Sequence, residues 1–241
     1  MNKGLLERFI NKYTLGDNVQ SVVLKIKNNV LSTEFITPEK SLLGKLALND
    51  FQYDDVELGV YNTSQLSRML NVLGDDVKLT VLRSDDTAIS IKVEDINASI
   101  NFMLSDKTII PVVPAMKNVP EFQLSLKIDS NFMARFIASK NALTDKETFT
   151  ILTDKDRDTC NCILGYSSIN TARITIPVSV DQITDVDLMS FNADLFGKIL
   201  QANKECSSGK LEISTQGLAK ITFKVDNYHA VYHLVATQSA D

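Results

Sequence analysis

The chain has 241 residues, 44% apolar and 23% charged, with 9 glycines, 5 prolines and a formal net charge of -5. This suffices for one large core or two smaller ones, argues against long disorder, and leaves no apolar run near the roughly 20 residues of a membrane-spanning helix. Cys160, Cys162 and Cys206 are an odd, sparse set that reads as free thiols of a cytoplasmic protein, and Glu7 and Arg8 interrupt the N-terminal apolar stretch before it could act as a signal peptide.

The first predicted element is a helix over Asn2 to Tyr13, where apolar residues recur at i, i+1, i+4 and i+5. A second helix of the same period is predicted over Thr63 to Leu73. Alternating polarity then predicts strands at Val77 to Leu82, Ala88 to Val93 and Ile96 to Leu104, with a turn at Ser84-Asp85-Asp86. The segment Asp106 to Pro120, carrying Pro111, Pro114 and Pro120, suits an extended connector. Beyond it come a helix over Ser130 to Lys140, a strand over Glu147 to Leu152, a helix over Ala193 to Glu205, and strands over Leu211 to Ser214 and Tyr228 to Val235.

The second half repeats the first. KVEDINASINF (Lys92 to Phe102) matches KVDNYHAVYHL (Lys224 to Leu234) with the turn kept, VELGVYN (Val56 to Asn62) matches VDLMSFN (Val186 to Asn192), and LLERFI (Leu5 to Ile10) matches FMARFI (Phe132 to Ile137). Laid over one another, LLERFI, QLSRML, FMARFI and LFGKIL carry a basic residue at the fourth place: Arg8, Arg68, Arg135 and Lys198. At 100° per residue that place points away from the apolar stripe. One basic residue on a solvent face is uninformative; four in register predict a repeated cationic surface. Lys3 and Lys12 lie beside it on the first helix and Lys204 on the last, whereas Lys140 turns toward the apolar side. The four helical stretches hold eight basic and three acidic residues, a net +5, leaving -10 for the remainder. Such a distribution attracts a polyanion to one surface and repels it elsewhere.

Catalytic and metal chemistry finds little support. His229 and His233 share a strand face without a third ligand nearby in sequence, and Cys160 and Cys162 form a C-x-C pair without a second pair. Asp154, Asp156 and Asp158 open like a calcium loop, but Thr159 stands where the loop needs glycine and Gly165 where it needs glutamate. A glycine-rich phosphate loop and a G-x-S-x-G elbow are both missing. Neither catalysis nor a cofactor is expected.

The stretch VELGVYNTSQLSRMLNVLGDDVKLTV (Val56 to Val81) resembles the corresponding element of the DNA sliding clamps, and within them of the phage T4 type. The resemblance implies an α+β DNA-clamp fold, with two similar domains that each set two helices on curved antiparallel sheets. The boundaries expected are 1–105 for the first domain, 106–120 for a connector and 121–241 for the second. It further implies a homotrimeric ring around double-stranded DNA, held without regard to sequence, with DNA polymerase, a clamp-loader ATPase and late-transcription factors as partners in a bacterial host cytoplasm. By the same resemblance a strand near Ile96 to Leu104 joins an edge strand of the next subunit near Asn170 to Pro177. Many clamps have a strand before the first helix; this sequence enters that helix directly. A partner-peptide site is expected on the connector at Ile109, Ile110, Val112, Val113 and Met116, although these residues could equally cap the second domain's core. A monomeric DNA-binding processivity factor and a β-rich viral structural protein are the competing readings.

Overall fold

The computed structural model describes residues 1–154, 159–167, 169, 171–182 and 188–237. The chain divides into two units, Met1–Pro38 with Gly44–Pro114, and Glu39–Leu43 with Ala115–Asp241.

In the first unit, helix α1 (Lys3–Thr14) starts where the Asn2 side chain accepts from the Gly4 amide at 2.8 Å, satisfying one of the amides that a helix start leaves bare. The Val77 amide donates to the Met1 carbonyl and the Lys3 amide to the Asp75 carbonyl, so residues 1–3 join residues 75–77 through one antiparallel bridge. Strands β1 (Val22–Lys27), β2 (Val30–Ile36), β3 (Leu42–Leu48) and β4 (Val56–Val60) lie in the order β3-β2-β1-β4. Their alternation turns Val22, Leu24, Ile26, Leu31 and Phe35 inward. Helix α2 (Thr63–Leu70) follows, and β5 (Lys78–Ser84), β6 (Thr87–Glu94) and β7 (Ser99–Met103) form a separate antiparallel sheet. Phe9, Ile10 and Tyr13 of α1 meet Leu66 and Leu70 of α2 in the core, where the Tyr13 hydroxyl donates to Thr63 Oγ1 at 3.2 Å. Burial raises the Tyr13 pKa, keeping the phenol a donor.

The second unit contains β8 (Leu124–Asp129), α3 (Ser130–Ala142), β9 (Thr148–Asp154), β10 (Thr159–Leu164), β11 (Ile174–Gln182), β12 (Met189–Asn192), α4 (Ala193–Ala202), β13 (Ser208–Ser214), β14 (Leu218–Val225) and β15 (Tyr228–Thr237). The strands run in the order β12-β9-β10-β11-β8-β13-β14-β15, and β12 also pairs with β15 through Ser190–Thr237 and Phe191–Ala236, so the sheet returns on itself. Phe132, Phe136, Phe149, Phe191 and Phe196 fill the space beneath α3 and α4, with the Phe136 and Phe196 rings edge-to-face at 4.8 Å. Asn203, fully buried after α4, donates to the Ile199 carbonyl at 2.9 Å and to the Tyr232 hydroxyl at 3.0 Å.

The architecture is therefore α+β, with four α-helices and antiparallel strands among the described residues. The repeat holds at the level of hairpins, but one expected equivalence fails. The β6–β7 connection has four residues between Glu94 and Ser99, whereas β14 and β15 are joined by two, Asp226 and Asn227. Ile96 thus stands in a turn at 96% exposure while its sequence match Tyr228 is buried in β15, and the strand expected from Ile96 begins at Ser99. Segment Ile174–Val178 of β11 pairs with β10, and pairing with β8 begins only at Ser179, so among the described residues 174–177 are bonded on one side. Asn170, and Asp156 and Asp158 of the acidic loop, lie outside the described residues.

Candidate nucleic-acid interface

The α-helices α1 to α4 each begin on an Asx cap: Asn2, Asn62, Asp129 and Asn192, each accepting from an amide in the first turn. The aligned basic residues, Arg8, Arg68, Arg135 and Lys198, each stand six positions beyond the cap. Equal spacing from the cap puts each side chain on the same turn and at the same angle around its helix. The sequence contained this signal in the Asn or Asp before each apolar period, although the apolar pattern alone did not single it out.

Packing agrees with that angle. In α2, Leu66 and Leu70 are buried and Arg68 is exposed; in α3, Phe132 and Phe136 are buried and Arg135 is exposed, its Nε donating to Asn131 Oδ1 at 3.1 Å. Arg8 and Lys198 are half-buried on helices whose buried faces hold Phe9 and Ile10, and Ile199 and Leu200. Among the described residues Arg68 and Lys198 form no ion pair. Each unit therefore sets two adjacent helices side by side, α1 with α2 and α3 with α4, with one cation per helix off the buried stripe.

Three flanking lysines do not sit as expected. Lys12 is fully buried: it stands about a quarter turn from the centre of the stripe of Phe9, Ile10 and Tyr13, close enough to be enclosed by what packs there. Lys3, at 8% exposure, donates to the Leu73 carbonyl at 2.7 Å and meets Glu7 at 3.2 Å, so it closes the end of α2 and offers little charge outward. Lys204 is exposed but lies past the end of α4. Lys140 turns inward, donating to the Thr144 carbonyl and pairing with Asp194 at 3.1 Å.

On the connector, Ile109 and Val112 are exposed at 56% and 89%, and Val113 and Met116 are half-buried. Ile110 is buried at 4%: its Cδ1 lies 3.3 Å from where a Cβ on Gly59 would stand, so it belongs to the first unit's core and drops out of the peptide site.

Among the described residues no three His, Cys, Asp or Glu side chains gather to hold a metal ion. Burial pushes the Cys160 thiol up to about 12 and Cys162 well above its ordinary value, which keeps both protonated and unsuited to ligation. Among the described residues no helix is long and apolar enough to cross a membrane.

These elements define a fold, the DNA-clamp fold, in which pairs of helices lie on antiparallel sheets in each of two repeated units. A solved structure similar to this chain is that of Proliferating Cellular Nuclear Antigen from Entamoeba histolytica, with a TM-score of 0.75 at 16% identity, covering 99% of this chain and 97% of that one. No protein-family model matches the sequence, and neither does any curated protein.

Proposed function

We propose that this protein is a sliding clamp, a ring subunit that encircles double-stranded DNA and tethers DNA polymerase without performing chemistry. The observation that carries the proposal is the constant interval between Asx cap and basic residue on four helices of a clamp fold. Diffuse single cations suit a surface that must slide over phosphates without reading bases.

On this reading, residues 1–105 and 121–241 act as two clamp domains joined by 106–120, and three subunits supply the six domains of a homotrimer. The subunit joint uses β7, an outer strand of its three-stranded sheet, against the segment Asn170 to Pro177 of the next copy. Arg8, Arg68, Arg135 and Lys198 face DNA, with Lys204 beside them. Ile109, Val112, Val113 and Met116 receive a hydrophobic partner peptide. A separate ATPase loads the ring, and the phage-type resemblance adds late-transcription factors and a bacterial host cytoplasm.

Light scattering behind size exclusion, combined with retention on circular against linear DNA, tests the ring. A trimer that stays on circular DNA and runs off linear ends is expected. A stable monomer at micromolar concentration that binds both forms alike would instead identify the monomeric processivity factor.

A further inference from the structure

The face of the second unit's sheet turned away from α3 carries a charge pattern that the DNA-facing helices leave unexplained. Register sets Lys127 of β8 directly opposite Lys210 of β13, while Lys220 and Lys224 follow on β14. Like charges directly opposite each other in a sheet are destabilising. One carboxylate in the middle of the face, Glu212, serves both Lys210 and Lys220 at 2.9 Å each. Of the other acids nearby, Asp181 is exposed at the bulge of β11 beside β8, Asp129 is turned to cap α3 and Asp226 sits at the tip of the β14–β15 turn. Among the described residues Lys127 and Lys224 form no ion pair.

In the first unit Lys45 meets Glu34 at 2.7 Å, and Lys107 and Lys25 share Glu57 at 2.6 and 3.7 Å, as Lys210 and Lys220 share Glu212. Two buried hydroxyls distinguish this face of the second unit. Ser125, at 7% exposure in the cross-strand row with Glu212 and Lys220, and Thr222, in the row with Lys210, both have a buried hydroxyl oxygen without a hydrogen-bond partner among the described residues. Phe122 stands 5.4 Å from the Lys220 ammonium and is half-buried, giving the face an apolar element.

We infer that this face of β8, β13, β14 and β15 is a docking surface for an acidic segment of a partner protein, its carboxylates meeting Lys127, Lys210 and Lys224. The chemistry favours a peptide over nucleic acid. Glu212 at the centre of the face would repel a continuous phosphate chain, whereas a peptide can place an uncharged residue over it. The cations are all lysines, point charges without the fork that makes arginine suited to phosphate. An extended peptide with acids at alternate residues spaces its carboxylates by about 7 Å on one side, within reach of long lysine stems. The inference is independent of the ring, since it uses the side of the sheet that the helices do not.

The test uses the full chain and a fluorescein-labelled peptide of alternating glutamate and alanine, read by anisotropy, with the lysine-alanine peptide and a DNA duplex as comparisons. The acidic peptide should bind, the basic one should not, and Lys127→Glu with Lys210→Glu and Lys224→Glu should weaken binding by about tenfold or more. Reversal of Arg68, Arg135 and Lys198 should leave peptide affinity unchanged. Amide shifts in the unaltered chain, expected to concentrate at β8, β13 and β14 on peptide addition, give an answer even where the triple variant folds poorly. Unchanged affinity in the triple variant, shifts confined to the helices, or loss of duplex binding in the triple variant alone would overturn the inference.

Discussion

The ring of Phe223 lies across Gly209 on the neighbouring strand, so close that a Cβ at Gly209 would come within 2.3 Å of it. Phe35 covers Gly44 in the first unit in the same way, at 2.1 Å. Each glycine is required by the aromatic ring above it. Gly209→Ala is expected to cost about 1–3 kcal/mol by overpacking, and Gly44→Ala a similar amount. Urea denaturation measures both, and Phe223→Leu added to Gly209→Ala should cost less than the sum of the two single changes.

Loss of a cap should be felt locally. Asn192→Ala removes the acceptor for the Leu195 amide, 2.8 Å away, and is expected to destabilise by about 1 kcal/mol. Asn192→Asp keeps the acceptor and adds charge at the helix start, so its denaturation midpoint should equal or exceed that of the parent.

Charge reversal separates the surface cations from the enclosed one. Arg8→Glu, Arg68→Glu, Arg135→Glu and Lys198→Glu together should reduce retention on circular DNA and processive primer extension at moderate salt, with native mass unchanged. Lys12→Glu should act on folding instead, because reversing a fully buried charge leaves its surroundings mismatched, and its thermal midpoint should fall well below that of the quadruple variant. Full processivity in the quadruple variant would show that these helices do not face DNA.

Burial, with Lys224 and Lys220 nearby, holds the His229 pKa below its ordinary 6.5. The unfolded chain therefore binds the proton more readily than the folded one. The histidine's contribution is fully favourable above about pH 6.5 and is lost as pH falls through 6.5 toward the lower folded value. Denaturation at pH 7.5 and 5.5, taken as about one unit either side of that value, should show this loss, and His229→Gln should reduce the difference.

Local pattern carried much of the architecture. The four helices were readable because an Asx cap, an apolar stripe and a basic residue six positions on all lie within one short segment. What sequence could not supply depended on distant partners. Lys12 shares its spacing with surface lysines and is enclosed only because of what packs against that side of α1. Ile110 reads as a connector residue and is drawn inward where Gly59 leaves room for it. The β6–β7 turn is two residues longer than its counterpart because Asp95 gathers the amides of Asn97, Ala98 and Gly74, contacts that also lower its pKa. A match of aligned letters conceals that difference.

The pairing of β8 with β13 also bears on how the protein is made. Residues 124–129 must wait for 208–213 before their shared ladder can form, an interval of about eighty residues. At ribosomal speeds of roughly 5–20 residues per second, that is on the order of 4 to 16 seconds. During this time Phe132, Phe136 and Phe149 have been synthesised while Phe196 and the strands that complete their enclosure are still arriving. The rings left unenclosed over that interval should make the yield of folded protein depend on translation rate, although the β9–β10–β11 and β13–β14–β15 pairings close within neighbouring residues.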